Sequence, residues 1–218
     1  LDPQFIEQIK EKFASHPFVK EAWVKKLGQG KDPEKIKEII EQGAALPVFY
    51  KGELVGSLRR DHDKDDTLKA EVLMENLVAK ASGALAMLHL FKLAKIAPAD
   101  VDFVLDCTET AVGDRYNRGG GSLSKAYAEM VGCVNATGND IRAFCCAPNH
   151  ALINAAGLVE SGIYNNVVVA GGGCLAKVGM KSAAHLKHNM PILEDVVAAI
   201  AFLVTKDDGV SPVMRLDS

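Results

Sequence analysis

Phe144-Cys145-Cys146-Ala147-Pro148-Asn149-His150-Ala151-Leu152 is the stretch whose interpretation decides the fold of this chain. A short strand is predicted over residues 141–144. A cysteine follows it at once, and a helix is predicted from Pro148 to Glu160 with proline in its first turn, where a missing N–H costs nothing. A cysteine at such a junction meets unpaired backbone N–H groups and the positive end of the helix dipole. Both favour thiolate over thiol and raise nucleophilicity near neutral pH. The small residues around Cys145 leave space for a thioester. From these residues alone two interpretations stand level: a tuned nucleophile, or a small hydrophobe packed in a core.

Moving outward, the predicted helix Pro148–Glu160 is apolar nearly all the way round, which predicts burial on most sides. Ser161-Gly162 ends it. Val167 to Ala170 is a continuous apolar run of the kind parallel strands show, and Gly171-Gly172-Gly173 suits close packing and a tight exit from that strand. Toward the N-terminus, a helix is predicted near Asn76–Ala94, a turn at Pro98-Ala99-Asp100, a strand over Val101–Leu105 and a helix near Leu123–Val131. Glu194 to Leu203 reads as helix or strand. Val213 to Leu216 reads as an edge strand after the turn Asp207-Asp208-Gly209. This alternation predicts a layered α/β domain over residues 67–218, with a mixed, mostly parallel sheet and right-handed crossovers.

Residues 1–66 have a different grammar and predict a small helical and hairpin region. Asp2-Pro3 is a cap followed by proline, ahead of Phe5, Ile6, Ile9 and Phe13 on one helix face. Asp32-Pro33 repeats the device ahead of Ile36, Ile39 and Ile40, and Gly43 can end that helix. Between them, Phe18 to Leu27 is predicted helical with Trp23 buried. Leu46–Tyr50 and Leu54–Leu58 flank Lys51-Gly52-Glu53 as a hairpin. The charged stretch from Arg59 to Asp66 reads as a solvated connector.

Among 218 residues, 48% are apolar and 24% charged, and the net charge is -3, so electrostatics offers no case for nucleic acid or an anionic membrane surface. The apolar runs are interrupted by Gly, Asn or Lys, and no segment is expected to span a membrane. Cysteines at 107, 133, 145, 146 and 174 form no disulfide framework, which points to reduced thiols in a cytoplasmic protein. No C-x-x-C pair suggests zinc. Asp106, Glu109 and Asp114 are spaced too irregularly for a metal, so no metal is expected. The start at Leu1 shows no signal peptide and no initiator Met, as in a processed chain or a piece of a longer one.

The run from Cys145 to Leu152, followed by Ser161-Gly162 and Val167–Gly173, resembles the nucleophile segment of ketoacyl-synthase III and thiolase-like proteins. Matching the helix end and the Ala151-Leu152 pair places the family cysteine on Cys145. Pro98-Ala99-Asp100 and the strand after it match the preceding region. A closer resemblance lies in Glu75-Asn76-Leu77-Val78-Ala79-Lys80-Ala81-Ser82-Gly83, Arg118-Gly119-Gly120-Gly121, Gly132-Cys133-Val134-Asn135-Ala136-Thr137-Gly138 and Pro191-Ile192-Leu193-Glu194-Asp195-Val196. Together these are similar to the beta subunits of component C of glycine/sarcosine/betaine reductase complexes, from about residue 45 onward.

That resemblance implies a thiolase-like half-domain and a reaction. A carboxymethyl group carried as a selenoether on selenoprotein A becomes an acetyl thioester on component C, and phosphate releases acetyl phosphate. The alpha subunit of component C and selenoprotein A are the implied partners, and no cofactor is implied. Cys145 would hold the two-carbon unit. Thiolase-like proteins draw their activating His and Asn from a second half, for which this chain has no counterpart. It is therefore expected to be a fragment, and a half-fold is expected to self-associate at least as a dimer.

Further candidates flank the cysteine. Cys146 is a candidate substrate contact, resolving thiol or partner of Cys145 in a strained adjacent-cysteine disulfide, Asn149 a candidate donor to a substrate oxygen, and His150 either faces the site or, as the more ordinary role, hydrogen-bonds in the core. Arg118, Gly119, Gly120 and Gly121 form an anion cradle, an interface loop or a simple turn. Lys181, His185, Lys187 and His188 make a modest positive patch, read as a solvated face. The alternatives to a reductase subunit are a ketoacyl-synthase III-like acyltransferase using coenzyme A or carrier-protein thioesters, and a non-catalytic assembly module.

Overall fold

The structure is a computed structural model of the chain and describes residues 1–59, 70–108, 122–174, 187–190 and 197–215. The chain forms two compact units, Leu1–Leu73 and Met74–Ser218.

In the first unit, helix α1 (Pro3–Ala14) starts where Asp2 Oδ1 accepts the Phe5 N–H at 2.7 Å, with Pro3 just inside the helix. Helix α3 (Pro33–Glu41) repeats the arrangement, Asp32 Oδ1 accepting the Glu34 N–H at 3.0 Å. Strands β1 (Ala45–Tyr50) and β2 (Glu53–Arg59) pair antiparallel around Lys51-Gly52, with a register shift between Val48 and Phe49. Ile6, Ile36 and Val55 are buried between these elements. Two expectations are corrected. The helix foreseen over Phe18–Leu27 is a single turn, α2 (Glu21–Val24), and Trp23 is only half-buried. Four residues offer too little surface to cover an indole.

The second unit is built on a four-stranded sheet in the order β4-β3-β5-β6. Strands β3 (Phe103–Asp106), β4 (Thr137–Asp140) and β5 (Val167–Cys174) are parallel, and β6 (Val197–Val204) runs antiparallel to β5. Helices α4 (Ala70–Ala94) and α5 (Leu123–Val131) pack on one face, where Met87, Phe91, Leu123, Tyr127 and Val131 meet Val104, Val168 and Ala170. Helix α6 (Ala147–Glu160) covers the other, its Ala147, Ala151, Ala155 and Val159 meeting Leu105, Val167 and Val169. The alternation Val104/Leu105 and Val168/Val169 therefore feeds two cores, as period-two side chains in a doubly covered sheet must. The crossover from β3 to β4 steps one way across the sheet and that from β4 to β5 steps back. Crossovers of one hand that step oppositely put their helices on opposite faces, as α5 and α6 lie. The layered α/β class with a mixed, mostly parallel sheet is thus the observed fold.

Glycines set the closest approaches. A Cβ at Gly83 of α4 would lie 2.5 Å from the Tyr127 ring, and one at Gly172 of β5 would lie 2.6 Å from the Ala79 carbonyl oxygen. Gly171 to Gly173 are thus not an exit from the strand. All three pair with β6; Gly172 lets α4 sit directly on β5, and Gly171 lets Cys107 approach.

Several other expectations change. The strand before the cysteine is Thr137–Asp140, not 141–144. Its polar composition hid it, because an edge strand buries little and Asp140 serves the site described below. Helix α6 is not buried on most sides. A narrow alanine stripe is buried, while Asn149, His150, Ile153 and Asn154 are exposed. The run ending at Leu203 is a strand, and residues 213–215 form none. The expectation of no membrane-length segment is also corrected: Asn76–Ala94 is one helix long and apolar enough to cross a membrane by length and composition. Its Ala79, Ala84, Met87 and Phe91 are buried in the core, while its Leu77, Leu85 and Leu93 are exposed. The charged stretch beyond Arg59, up to Asp66, lies outside the described residues.

Candidate functional site

The carboxyl ends of β3 and β4 bring two acidic residues side by side, since Asp106 and Asp140 are partners in the parallel register. Adjacent carboxylates repel, and Arg142, two residues beyond Asp140, bridges them. Its Nη1 donates to Asp106 Oδ2 at 2.5 Å and to the Thr108 carbonyl at 2.8 Å, and its Nη2 donates to Asp140 Oδ2 at 3.1 Å. Such charge-assisted, forked bonding suits guanidinium over ammonium. Asp106 is fully buried. Burial pushes its carboxyl upward from the ordinary carboxylate value, against the hydrogen bonds from Thr108 and Arg142 that hold it down.

Thr108 extends the network. Its hydroxyl lies 2.5 Å from Asp106 Oδ1, 3.0 Å from the Tyr127 hydroxyl and 3.2 Å from the Gly172 N–H. The single Thr108 proton goes to the carboxylate, so the oxygen accepts from Gly172. Tyr127 also reaches the Ala79 carbonyl at 3.3 Å. Asp140, on the other side, receives the first N–H groups of α5, from Leu123 at 3.1 Å and Ser124 at 3.0 Å, and the Ser122 hydroxyl at 2.8 Å. A carboxylate from β4 thus caps α5. The network sits where the strand order reverses between β3 and β5, the place at which open α/β sheets bind ligands.

Cys145 stands beyond Arg142, in a 3₁₀ turn (Phe144–Cys146) that leads into α6. Phe144 has φ +49°, a left-handed conformation that costs a non-glycine residue roughly 1–2 kcal/mol. Its ring is 81% exposed, so packing of that side chain does not hold the conformation. The Cys146 N–H closes the turn on the Ala143 carbonyl at 3.0 Å, and Ala147, fully buried, anchors the start of α6. Cys145 and Cys146 are exposed thiols. Asn149 and His150 are exposed in the first turn of α6, so His150 is not the core histidine expected of it, although its carbonyl accepts the Asn154 amide at 2.7 Å.

The four residues expected at the site therefore share one exposed segment. Arg118, Gly119, Gly120 and Gly121 lie outside the described residues, as do Glu109, Asp114, Lys181 and His185; Lys187 and His188 are exposed. Cys107 and Cys133 are buried, and burial pushes their thiols up to about 12 and about 11. Sequence reasoning missed Arg142, Thr108, Tyr127 and Asp140. The available signals were an aspartate closing the apolar run Val104-Leu105 and an arginine two positions after Asp140.

A layered α/β unit with a mixed, mostly parallel sheet flanked by helices is consistent with a thiolase-like half-domain. Within that class the chain resembles the beta subunit of component C. It is 45% identical over 217 residues to the glycine/sarcosine/betaine reductase complex component C subunit beta of Peptoclostridium acidaminophilum, covering 100% of this chain and 42% of that protein. The likeness thus includes the first 45 residues, where the motifs were weak. Over 87 residues the chain is 29% identical to beta-ketoacyl-[acyl-carrier-protein] synthase III of Listeria monocytogenes, covering 40% of this chain and 26% of that protein. The chain spans less than half the length of these curated relatives. No protein-family model matches. Among solved structures, 3-oxoacyl-[acyl-carrier-protein] synthase III from Aquifex aeolicus aligns with a TM-score of 0.45 at 18% identity, over 71% of this chain and 42% of that one. Xanthomonas campestris OleA with bound cerulenin aligns with a TM-score of 0.47 at 16% identity, over 72% of this chain and 46% of that one.

Proposed function

We propose that this chain supplies the cysteine-bearing unit of a component C beta subunit in a glycine/sarcosine/betaine reductase complex. Cys145 holds acetyl as a thioester, and phosphate takes it as acetyl phosphate. The observation that carries this is the exposed Cys145 thiol, set between β4 and the start of α6, in a chain 45% identical along its length to such a subunit. In the release step a phosphate oxygen adds to the thioester carbonyl. The C–S bond then breaks, acetyl phosphate leaves, and the Cys145 thiolate is regenerated.

On this reading residues 67–218 form the thiolase-like half and residues 1–66 a separate helical and hairpin region. Activating His and Asn groups come from a second half, with the alpha subunit of component C and selenoprotein A as partners. The protein acts in the cytoplasm and at least as a dimer. Asn149 and His150 contact the acyl group, Cys146 lies beside it, and the Arg118–Gly121 segment serves an anion or an interface.

The test is to incubate the full-length protein and its partner subunits with isotopically labelled acetyl phosphate, running the last step in reverse. Hydroxylamine-labile acetyl on the Cys145 peptide, lost in Cys145→Ala, is the expected result. Label on another residue, or none, overturns the proposal. Labelling from acetyl-coenzyme A alone points to the synthase-like alternative.

A further inference from the structure

The turn that presents Cys145 contains a contradiction that its own residues do not resolve. Phe144 holds a left-handed backbone while its ring lies in solvent. The conformation must therefore be imposed from both sides. On the C-terminal side the anchor is visible: the Cys146 N–H bonds the Ala143 carbonyl and buried Ala147 begins α6. On the N-terminal side, Ile141 is held through its N–H to the Asp106 carbonyl at 2.7 Å. Arg142 is held through three side-chain bonds, to Asp106, Thr108 and Asp140. Only Ala143 and Phe144 separate that guanidinium from Cys145.

We propose that Arg142 is a positioning residue for Cys145: its forked guanidinium locks the carboxyl ends of β3 and β4 to the turn, and so holds the strained Phe144 backbone that sets the place of Cys145 ahead of α6. The inference rests on Cys145 being the acyl-carrying nucleophile. Arginine is required rather than a cation in general. A lysine ammonium can neutralise Asp106, but it cannot span the two carboxylates and the Thr108 carbonyl in one plane. The strain is the reason an anchor is needed. With the fork gone, Phe144 relaxes to an ordinary backbone and Cys145 turns with it.

The experiment compares alkylation rates of Cys145 and Cys146 near neutral pH by peptide mass spectrometry. It uses the full-length natural protein and its Arg142→Lys, Arg142→Lys/Phe144→Gly and Asp106→Asn/Arg142→Met variants. Thermal melts show which variants fold. Iodoacetamide is the probe. In the parent, Cys145 reacts faster than Cys146. In folded Arg142→Lys that preference falls roughly tenfold, below the ~100-fold that a 1 Å misplacement can cost. Phe144→Gly restores it, because glycine accepts the left-handed backbone without an anchor. A merely structural arginine would not be rescued by a glycine two residues away. If Arg142→Lys does not fold, the charge-free double variant carries the same prediction without leaving a buried carboxylate unpaired. Preserved selectivity in a folded variant overturns the positioning role alone, as does failure of Phe144→Gly to rescue. Equal reactivity of the two cysteines in the parent overturns the nucleophile assignment, and the positioning role with it.

Discussion

Arg142 donates to Asp106 across a 2.5 Å ion pair in which the carboxylate is fully buried and the guanidinium remains one-third exposed. The two partners are therefore unequal. Removing Arg142 strands a charge inside the protein, whereas removing Asp106 leaves a cation that can reach solvent and still bind Asp140.

Arg142→Ala is accordingly expected to cost on the order of 3–5 kcal/mol, and Asp106→Asn clearly less. The pH dependence has a definite sign. Burial already raises the folded-state value of Asp106 above the unfolded one, and losing Arg142 raises it further. A raised carboxyl contributes stability that is present below the unfolded value and is lost as pH rises through the folded one. The defect in Arg142→Ala should therefore shrink on acidification. Urea midpoints for parent and variant near pH 5 and pH 8 check this.

Native-state alkylation should divide four of the cysteines into two pairs. Cys145 and Cys146 are exposed and should react in the folded protein, while Cys107 and Cys133 are buried and should react only on unfolding. Mass spectrometry after a short iodoacetamide pulse, with and without urea, measures the division.

The same burial predicts alkaline sensitivity. The Cys133 thiol is pushed up to about 11 by burial. Below the unfolded thiol value, stability is independent of this group. Between that value and about 11 the unfolded chain loses the proton first, so stability falls as pH rises. At two units the loss is at most about 3 kcal/mol. Cys133→Ala should flatten the profile by one proton, read from urea midpoints between mildly alkaline pH and the folded value.

Gly172→Ala should be destabilising by about 1–3 kcal/mol, because the added methyl meets not only the Ser82 hydroxyl but also helix α4 backbone at Gly83 and Ala79, which cannot yield as a side chain can. By contrast, Gly157→Ala on the outer side of α6, where the new methyl meets nothing within 4 Å, should gain roughly 0.5–1 kcal/mol from helix propensity. Paired thermal melts check both signs. Loss of stability at Gly157 in the full-length protein would mean that another surface covers that face.

Element type was legible wherever one local rule dominated. Asp2-Pro3 and Asp32-Pro33 announced their helices because a cap and a proline act within four residues. Val167–Ala170 announced a central strand because a strand covered on both faces must be apolar throughout. The Cys145 segment was legible because a cysteine before a helix start is a local event. The network behind it was not. Thr137–Asp140 looks like a loop in sequence, since an edge strand needs little burial and its aspartate is spent on capping α5. Nothing local connects Asp106 to Arg142, 36 residues apart, or Thr108 to Tyr127 and Gly172. Those contacts exist because parallel pairing aligns the ends of β3, β4 and β5 and two opposed crossovers bring α5 and α6 to the same edge. By itself the sequence determined the layered α/β class and the cysteine at its strand-to-helix junction. Only the tertiary structure decided which buried charge that junction is fastened to, because register, unlike periodicity, is a property of pairs of segments distant in the chain.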